Sequence, residues 1–303
     1  MSADDARAAG LINALTVDVE EYFHSNAMDA SVSPGDWDQL PKRVEVNTHR
    51  VLDLLAAHDV KATFFVLGWV AERLPRLVDE IAQRGHEIGC HGYAHRLAYE
   101  LGAQRFRADV ARAKAILEQR IGAPVAGFRA ASYSLVLSTP WVLDVLIDAG
   151  FQYDSSIFPI RHDIYGIPGF SRFAVRVQRP DGQIVEVPAS TVRLLGRNWP
   201  VAGGGYLRLM PYWVTSMAVR RINRRDSAPA IIYLHPWELD TEQPRFPASM
   251  RTRVRQYSNL HRTEARIHRL LHDFRFAPIR DAISFDGLPV REFGEGASAE
   301  PRP

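Results

Sequence analysis

Two histidines four residues apart, His91 and His95, follow the apolar stretch Glu87-Ile88-Gly89-Cys90. If the backbone between them turns helically, both imidazoles lie on one face and can close on one metal ion. A pair of surface or capping histidines would show the same spacing, so the rest of the chain has to decide. Asp18 and Glu20 end the run Leu11-Ile12-Asn13-Ala14-Leu15-Thr16-Val17, Arg129 follows Val125 to Phe128, and His235 follows Ile231-Ile232-Tyr233-Leu234. Charge at the end of a buried strand is costly unless it is paired or metal-bound. An Asp/Glu/His set suits zinc, or another divalent first-row metal, with a position left open for water. A carboxylate beside such an ion can take a proton from the water, and a separate histidine can give one to a leaving group. Asp18 and Glu20, two apart on a strand, point the same way, whereas Glu21 faces away as a structural acid. Cys90 alternates away from His91 and reads as buried filler.

The elements that must position these groups alternate. Strand-like runs end at Val19, Gly68 and His91, with a further one at Val125 to Phe128. Helical spacing covers Val44 to His58, Val70 to Arg84 with a break at Pro75, Gln104 to Ile121, and Thr139-Pro140 to Ala149. Strands alternating with helices mean βα units around a parallel sheet. With Ile231 to His235 as a late strand, about six to eight strands suit a complete or distorted barrel better than an open dinucleotide-binding sheet. Barrels of this kind build their sites at the C-terminal ends of the strands, where all these polar groups fall. Gly203-Gly204-Gly205 is followed by Tyr206, so it reads as a tight loop and not a phosphate cradle. Phe173 to Val177 and Ile184 to Val187, joined through Pro180-Asp181-Gly182, spell a hairpin in an insertion or a small appended β region. Thr263 to Phe274 reads as a late helix.

Bulk properties narrow the function. The chain has 303 residues, 46% hydrophobic and 24% charged, enough for a packed core. A net charge of +2 argues against a dedicated nucleic-acid binder. The single cysteine excludes an intrachain disulfide and a cysteine-based zinc site, so a metal must be held by His, Asp or Glu. The first ten residues lack a basic region followed by an apolar run, and no stretch reaches a membrane span, which makes a cytoplasmic protein the expectation. Arg220-Arg221-Arg224-Arg225 and Arg251-Arg253-Arg255 read as solvated helix faces, with an anionic glycan or an acidic membrane surface as the alternative partner.

The order and spacing of these motifs resemble the NodB-type polysaccharide deacetylases, carbohydrate esterase family 4. The family's Thr-Phe-Asp-Asp opening is matched by Thr16-Val17-Asp18-Val19-Glu20, its His-Ser-x-x-His by His91-Gly92-Tyr93-Ala94-His95, its Arg-x-Pro-Tyr by Arg129-Ala130-Ala131-Ser132, and its late Leu-x-His by the segment ending at His235. More narrowly, Asp18 to His24, Tyr153 to Pro159, Gly203 to Arg208 and His235-Pro236-Trp237-Glu238 look like the deacetylases found with exosortase-type (PEP-CTERM) exopolysaccharide loci.

The resemblance implies an α/β fold, a distorted (β/α)7-type NodB barrel, with a hairpin-containing C-terminal extension. Residues 1–12 would be an N-terminal segment, 13–158 the deacetylase core, 159–283 the extension that also supplies the late strand and His235, and 284–303 a disordered tail. Zinc would be held by His91, His95 and, because Val19 stands where the usual acid would, Glu20. Asp18 would be the base, Arg129 its orienter, and His235 the acid, itself oriented by Asp154. Ser132 would offer its backbone N–H to the oxyanion, and Ser132 and Trp237 would line the substrate pocket. The implied reaction is metal-dependent removal of N-acetyl groups from amino sugars of an exopolysaccharide or its lipid-linked precursor, in the cytoplasm or at the inner membrane face. Hydrolysis of a small cyclic amide or imide on the same site is one alternative; a non-catalytic glycan-binding or assembly protein is another.

Overall fold

The structure is a computed structural model and describes residues 10–25, 28, 31–201 and 203–293. Residues 1–9, within the expected N-terminal segment, and 294–303, the end of the expected tail, lie outside the described residues.

The fold is built outward from β1 (Asn13–Val19), whose seven residues are all buried. Its Ala, Leu and Val side chains cover both faces, so neither can face water, and it lies between two parallel neighbours. On one side is β10 (Ile231–Leu234), with Val17 opposite Leu234; on the other is β2 (Thr63–Val66), with Val17 opposite Phe64. From β2 the sheet continues through β3 (Glu87–Cys90), β4 (Gly127–Phe128) and β5 (Tyr153–Asp154), all parallel. Helices α1 (Val44–Ala57), α2 (Gly68–Arg73), α3 (Pro75–Gln83), α4 (Ala98–Ile121) and α5 (Trp141–Asp148) form the crossovers. Pro75 sits at the first position of α3, where a missing N–H is harmless, so the break expected at this proline is a junction between two helices. In-register parallel pairing sets the C-terminal ends of β1, β2, β3, β4 and β10 side by side. The parallel α/β sheet expected from the alternation is present; the two ends of the strand path, β10 and β12 (Val290–Glu292), are not paired with each other among the described residues.

The second half settles one open reading and corrects one expectation. The hairpin of β6 (Val175–Arg179) and β7 (Gly182–Glu186) is present, turns at Pro180-Asp181, and is an insertion into the sheet and not an appendage. β7 pairs in parallel with β5, with Val185 opposite Tyr153, so the hairpin extends the main sheet. The tail from residue 284 is not wholly disordered: β12 adds in parallel to β6, and Phe293 is buried. Strand pairing recruits a segment whose composition alone would leave it in water.

The triple glycine is a close-approach loop, as its sequence implies. Gly203, at φ 138°, bridges to Tyr233, and a Cβ on it would lie 1.8 Å from the Tyr233 carbonyl oxygen. Backbone cannot yield there as a flexible side chain could. Gly203→Ala is expected to lower stability by about 3 kcal/mol, read as a lower urea midpoint with an unchanged slope. An unchanged midpoint would refute the close approach.

Candidate active site

The site begins where β1 ends. Asp18 and Glu20 both turn into one pocket, and both are buried. Asp18 Oδ1 accepts from Arg129 Nη1 at 2.8 Å. Arg129 lies fully buried, yet four of its five N–H groups have acceptors: besides Asp18, Nη1 donates to Thr16 Oγ1 (2.7 Å), Nε to the Ser155 carbonyl (3.1 Å) and Nη2 to Ser155 Oγ (2.8 Å). Its guanidinium stacks 4.3 Å above the Phe65 ring. A buried cation is tolerable only with such a set of acceptors, and the set fixes Asp18 as well.

Glu20, His91 and His95 come together with one ligand atom from each within 4.8 Å of the others. His91 Nδ1 lies 2.7 Å from the Arg129 carbonyl oxygen and donates to it, which leaves the Nε2 lone pair facing the cluster. Burial lowers the His91 pKa to about 4, so the ring is neutral and able to ligate at pH 7. Glu20 Oε1 accepts from Trp237 Nε1 at 3.0 Å. Its Oε2 is buried, 2.7 Å from His95 Nε2 and 3.9 Å from His91 Nε2. Burial alone would raise the Glu20 carboxyl, but the imidazoles of His95, His235 and His91 hold it well below the usual carboxylate range. An ionised carboxylate oxygen facing two imidazole nitrogens in a dry site is a set of lone pairs converging on a cation, so the residues fit a divalent ion.

The two histidines are not on a helical turn, contrary to the expectation from their spacing. Residues 91–97 form a loop in which Gly92 and His95 take positive φ (75° and 51°). The loop is pinned by Gly68 N–H to the Gly92 carbonyl (2.8 Å), Trp69 N–H to the Tyr93 carbonyl (2.9 Å) and Tyr93 N–H to Asp109 Oδ2 (2.7 Å). The left-handed kinks, one of them at a strained non-glycine residue, fold the second imidazole back onto the first.

His235 Nε2 stands between the two acids at the C-terminal end of β1, 3.9 Å from Asp18 Oδ2 and 3.7 Å from Glu20 Oε1. Its other nitrogen, Nδ1, lies 3.3 Å from Glu238 Oε2, which also accepts from the His235 backbone N–H at 3.0 Å. Asp154 was expected to orient His235, and the structure puts it elsewhere. Asp154 accepts from Ser156 Oγ and shares its buried surroundings with Glu186, while Ser156 Oγ accepts from the Ala130 N–H. Its place is behind the Arg129-Ala130 loop.

Glu238, which follows Trp237 in the same motif, is buried. Arg208 Nε donates to its Oε1 at 2.6 Å, and Arg208, buried too, donates onward to the carbonyls of Arg255, Gln256 and Ser258. The available signal was the spacing His-Pro-Trp-Glu: a proline opening a short turn, with an acid three residues after its cap, is a capping box. Burial pulls the His235 pKa down, but the carboxylates of Glu20, Glu238 and Asp18 outweigh it and raise it to about 9. Trp237 lines the pocket as expected and also stacks on His235 (centroids 5.2 Å apart) while holding Glu20.

A protonated His235 is the form able to donate, and it is lost as pH rises through its pKa. Glu238→Gln removes a stabilising charge, so the alkaline limb of the pH–rate profile is expected to move to lower pH. An alkaline limb that stays in place would remove Glu238 from this role.

The pocket has a volume of about 120 Å³, opens to the surface, and is walled by Ser132, Tyr133, Tyr165 and Tyr233 around the polar floor. Ser132 and Tyr133 both hold positive φ (48° and 54°). Cys90 is fully buried, its thiol pushed up to about 12 by burial, as filler. Glu21, also buried, accepts from the Arg43 and Val44 N–H groups and caps α1. His24 was not singled out from sequence; its Nδ1 accepts from the Glu21 N–H and its ring stacks on His95 with centroids 6.3 Å apart.

Residues 36–153 match the family model described as polysaccharide deacetylase, and residues 155–284 match one described as a domain of unknown function, DUF3473. Among characterised sequences, a peptidoglycan-N-acetylglucosamine deacetylase from Bacillus cereus is 40% identical over 75 residues, 25% of this chain and 27% of that protein. A chitooligosaccharide deacetylase from Sinorhizobium fredii is 46% identical over 50 residues, 16% of this chain and 23% of that protein. The chain thus spans about a quarter of the length of these relatives. Among solved structures, one from Mycobacterium smegmatis, named among the polysaccharide deacetylases, superposes with a TM-score of 0.59 at 21% identity, covering 88% of this chain and 87% of that one. A carbohydrate esterase family 4 pseudoenzyme from Bacillus anthracis superposes with a TM-score of 0.50 at 15% identity, over 94% of this chain and 70% of that one. At these identities the structural likeness is one of fold.

Proposed function

We propose, with a polysaccharide deacetylase domain across residues 36–153 as the premise, that the protein is a metal-dependent amidohydrolase removing N-acetyl groups from amino sugars of an exopolysaccharide or its precursor. The observation that carries the reading is the convergence of Glu20, His91 and His95, all buried and with one ligand atom from each within 4.8 Å of the others, beside both Asp18 and His235. Glu20, His91 and His95 would hold the ion, zinc by their oxygen and nitrogen set. When bound, it would supply Lewis acidity toward the acetyl carbonyl and ease deprotonation of water.

The chain's own groups divide the proton transfers. Arg129 occupies Asp18 Oδ1 and leaves Oδ2, on the His235 side, to take a proton from the attacking water. Water adds to the acetyl carbonyl carbon, His235 Nε2 gives its proton to the amide nitrogen, and the C–N bond breaks to acetate and a free amine. Glu238 keeps His235 charged and turned toward the acids. Ser132, whose backbone is bent at the pocket wall, would offer its N–H to the oxyanion. A volume of about 120 Å³ suits an acetyl group entering from a sugar that stays outside.

The test is acetate release from N-acetylglucosamine oligomers by zinc-loaded protein, with metal-stripped protein as control. The small pocket also favours a second reading, a cyclic amide or imide as substrate. Turnover confined to hydantoin-like rings would replace the deacetylase by that activity. The exosortase-locus kinship, the exopolysaccharide as substrate and action in the cytoplasm before export belong to the same proposal. No helix among the described residues is long and apolar enough to cross a membrane.

A further inference from the structure

The hairpin of β8 (Thr191–Leu194) and β9 (Arg197–Pro200) forms a separate two-stranded sheet. It turns through Leu195 and Gly196, both at positive φ (51° and 74°), a two-residue turn that normally takes Asn or Gly at its first position. Leucine is strained there, and packing does not compensate, because Leu195 is 91% exposed. A residue that breaks the local rule without a gain inside the fold has its use outside it.

More apolar surface adjoins it. Cross-strand register puts Val192, Leu194, Arg197 and Trp199 on one face, and Leu194 and Trp199 are half exposed. The helix Tyr212–Arg225 turns Trp213 and Met217 outward, each more than 60% exposed, on a stripe that continues into Arg220 and Arg224. Arg221 Nη2 donates to the Arg193 carbonyl at 3.3 Å, which joins helix and hairpin into one surface. Arginines rim it: among the described residues, no carboxylate pairs with Arg193, Arg197, Arg221 or Arg225, while Arg220 lies over the Phe274 ring with Asp273 nearby. The nearby acids are engaged, Asp226 by Arg172 (2.8 Å) and Asp273 by Tyr212 (2.7 Å).

We propose that this surface docks the protein on an anionic lipid bilayer, with the Leu194–Leu195 tip, Trp199, Trp213 and Met217 entering the headgroup–acyl boundary and the arginines meeting lipid phosphates. Aliphatic and tryptophan side chains on a projecting tip, ringed by cations, match that boundary in polarity and charge. A second copy is the poorer occupant, since two arginine-rich faces repel. The surface is tied to the pocket. Asn198 Nδ2 donates to the carbonyls of Pro159 (2.8 Å) and Pro168 (3.3 Å), bracing the hairpin on the segment that carries the pocket residue Tyr165. Docking therefore holds one wall of the pocket at the membrane, whatever bond the site cleaves.

Co-sedimentation of the full chain with vesicles tests this. Binding is expected to vesicles of phosphatidylcholine mixed with phosphatidylglycerol, to weaken as salt is raised, and to be slight on phosphatidylcholine alone. Leu195→Asn relieves the turn, so the variant folds; it and Trp213→Gln are each expected to weaken binding about tenfold or more, with acetate release from soluble oligomers unchanged. Absence of binding to anionic vesicles, or binding that both variants retain, overturns the proposal. Dimerisation abolished by the same variants, without vesicle binding, overturns it too and assigns the surface to a second copy.

Discussion

Asp18→Asn is expected to lower turnover by roughly 10²- to 10⁴-fold, the range for loss of a positioned general base, while zinc content stays at that of the parent. The replacement keeps the shape of the side chain and its oxygen toward Arg129, and removes only the ability to take a proton. It also leaves the Arg129 guanidinium without its ionic partner in a fully buried site. Thr16 Oγ1, Ser155 Oγ and the Ser155 carbonyl still receive its N–H groups, so a folded protein with stability reduced by about 3 kcal/mol is expected. Single-turnover acetate release, metal analysis and a urea titration on the same preparation separate the three effects. Unchanged turnover would remove Asp18 as the base.

Glu20→Gln should behave oppositely: metal affinity falls by about 100-fold or more, beyond the ~10- to 100-fold typical of losing a supporting partner, and activity returns in part at high zinc. The amide oxygen can still accept from Trp237 Nε1, so the pocket keeps its shape. The apo-protein is expected to lose stability near neutral pH, because the buried imidazoles hold the Glu20 carboxylate well below its usual range and the amide leaves a charged His235 without that partner. Equilibrium zinc titration of the two variants side by side distinguishes ligand from base. If Glu20→Gln retained zinc and Asp18→Asn lost it, the two acids would exchange roles.

The polar groups at strand ends were legible because each breaks a pattern. Leu11 to Val17 is too apolar for a wet face, so the acids Asp18 and Glu20 immediately after it stand out, as does Arg129 after Phe128. Glu238 was not legible as the partner of His235, because a glutamate after a tryptophan reads equally as a solvated turn. Only the Arg208 guanidinium, thirty positions upstream, makes its burial tolerable. Asp154 misled for the complementary reason: it stands at a strand end like the others, but its carboxyl meets Ser156 and Glu186 behind the loop.

The same division runs through the architecture. Composition shows that Val175 to Glu186 makes a hairpin, but not which edge it joins; that is set by β5 offering a free row of N–H and C=O groups. The polar stretch before Phe293 has no apolar period, so its strand exists only because β6 is there to pair with.

The sequence alone determined the α/β alternation, the ligand types and the strand ends that carry them, since those follow from local hydrophobic period and residue chemistry. Tertiary structure decided which lone pairs face one another. His95 reaches Glu20 through left-handed kinks that no spacing encodes, and His235 lies between acids more than 200 residues away because β10 pairs with β1. Distance along the chain carries no information about either contact; backbone pairing and the expense of leaving buried charge unmatched supply it.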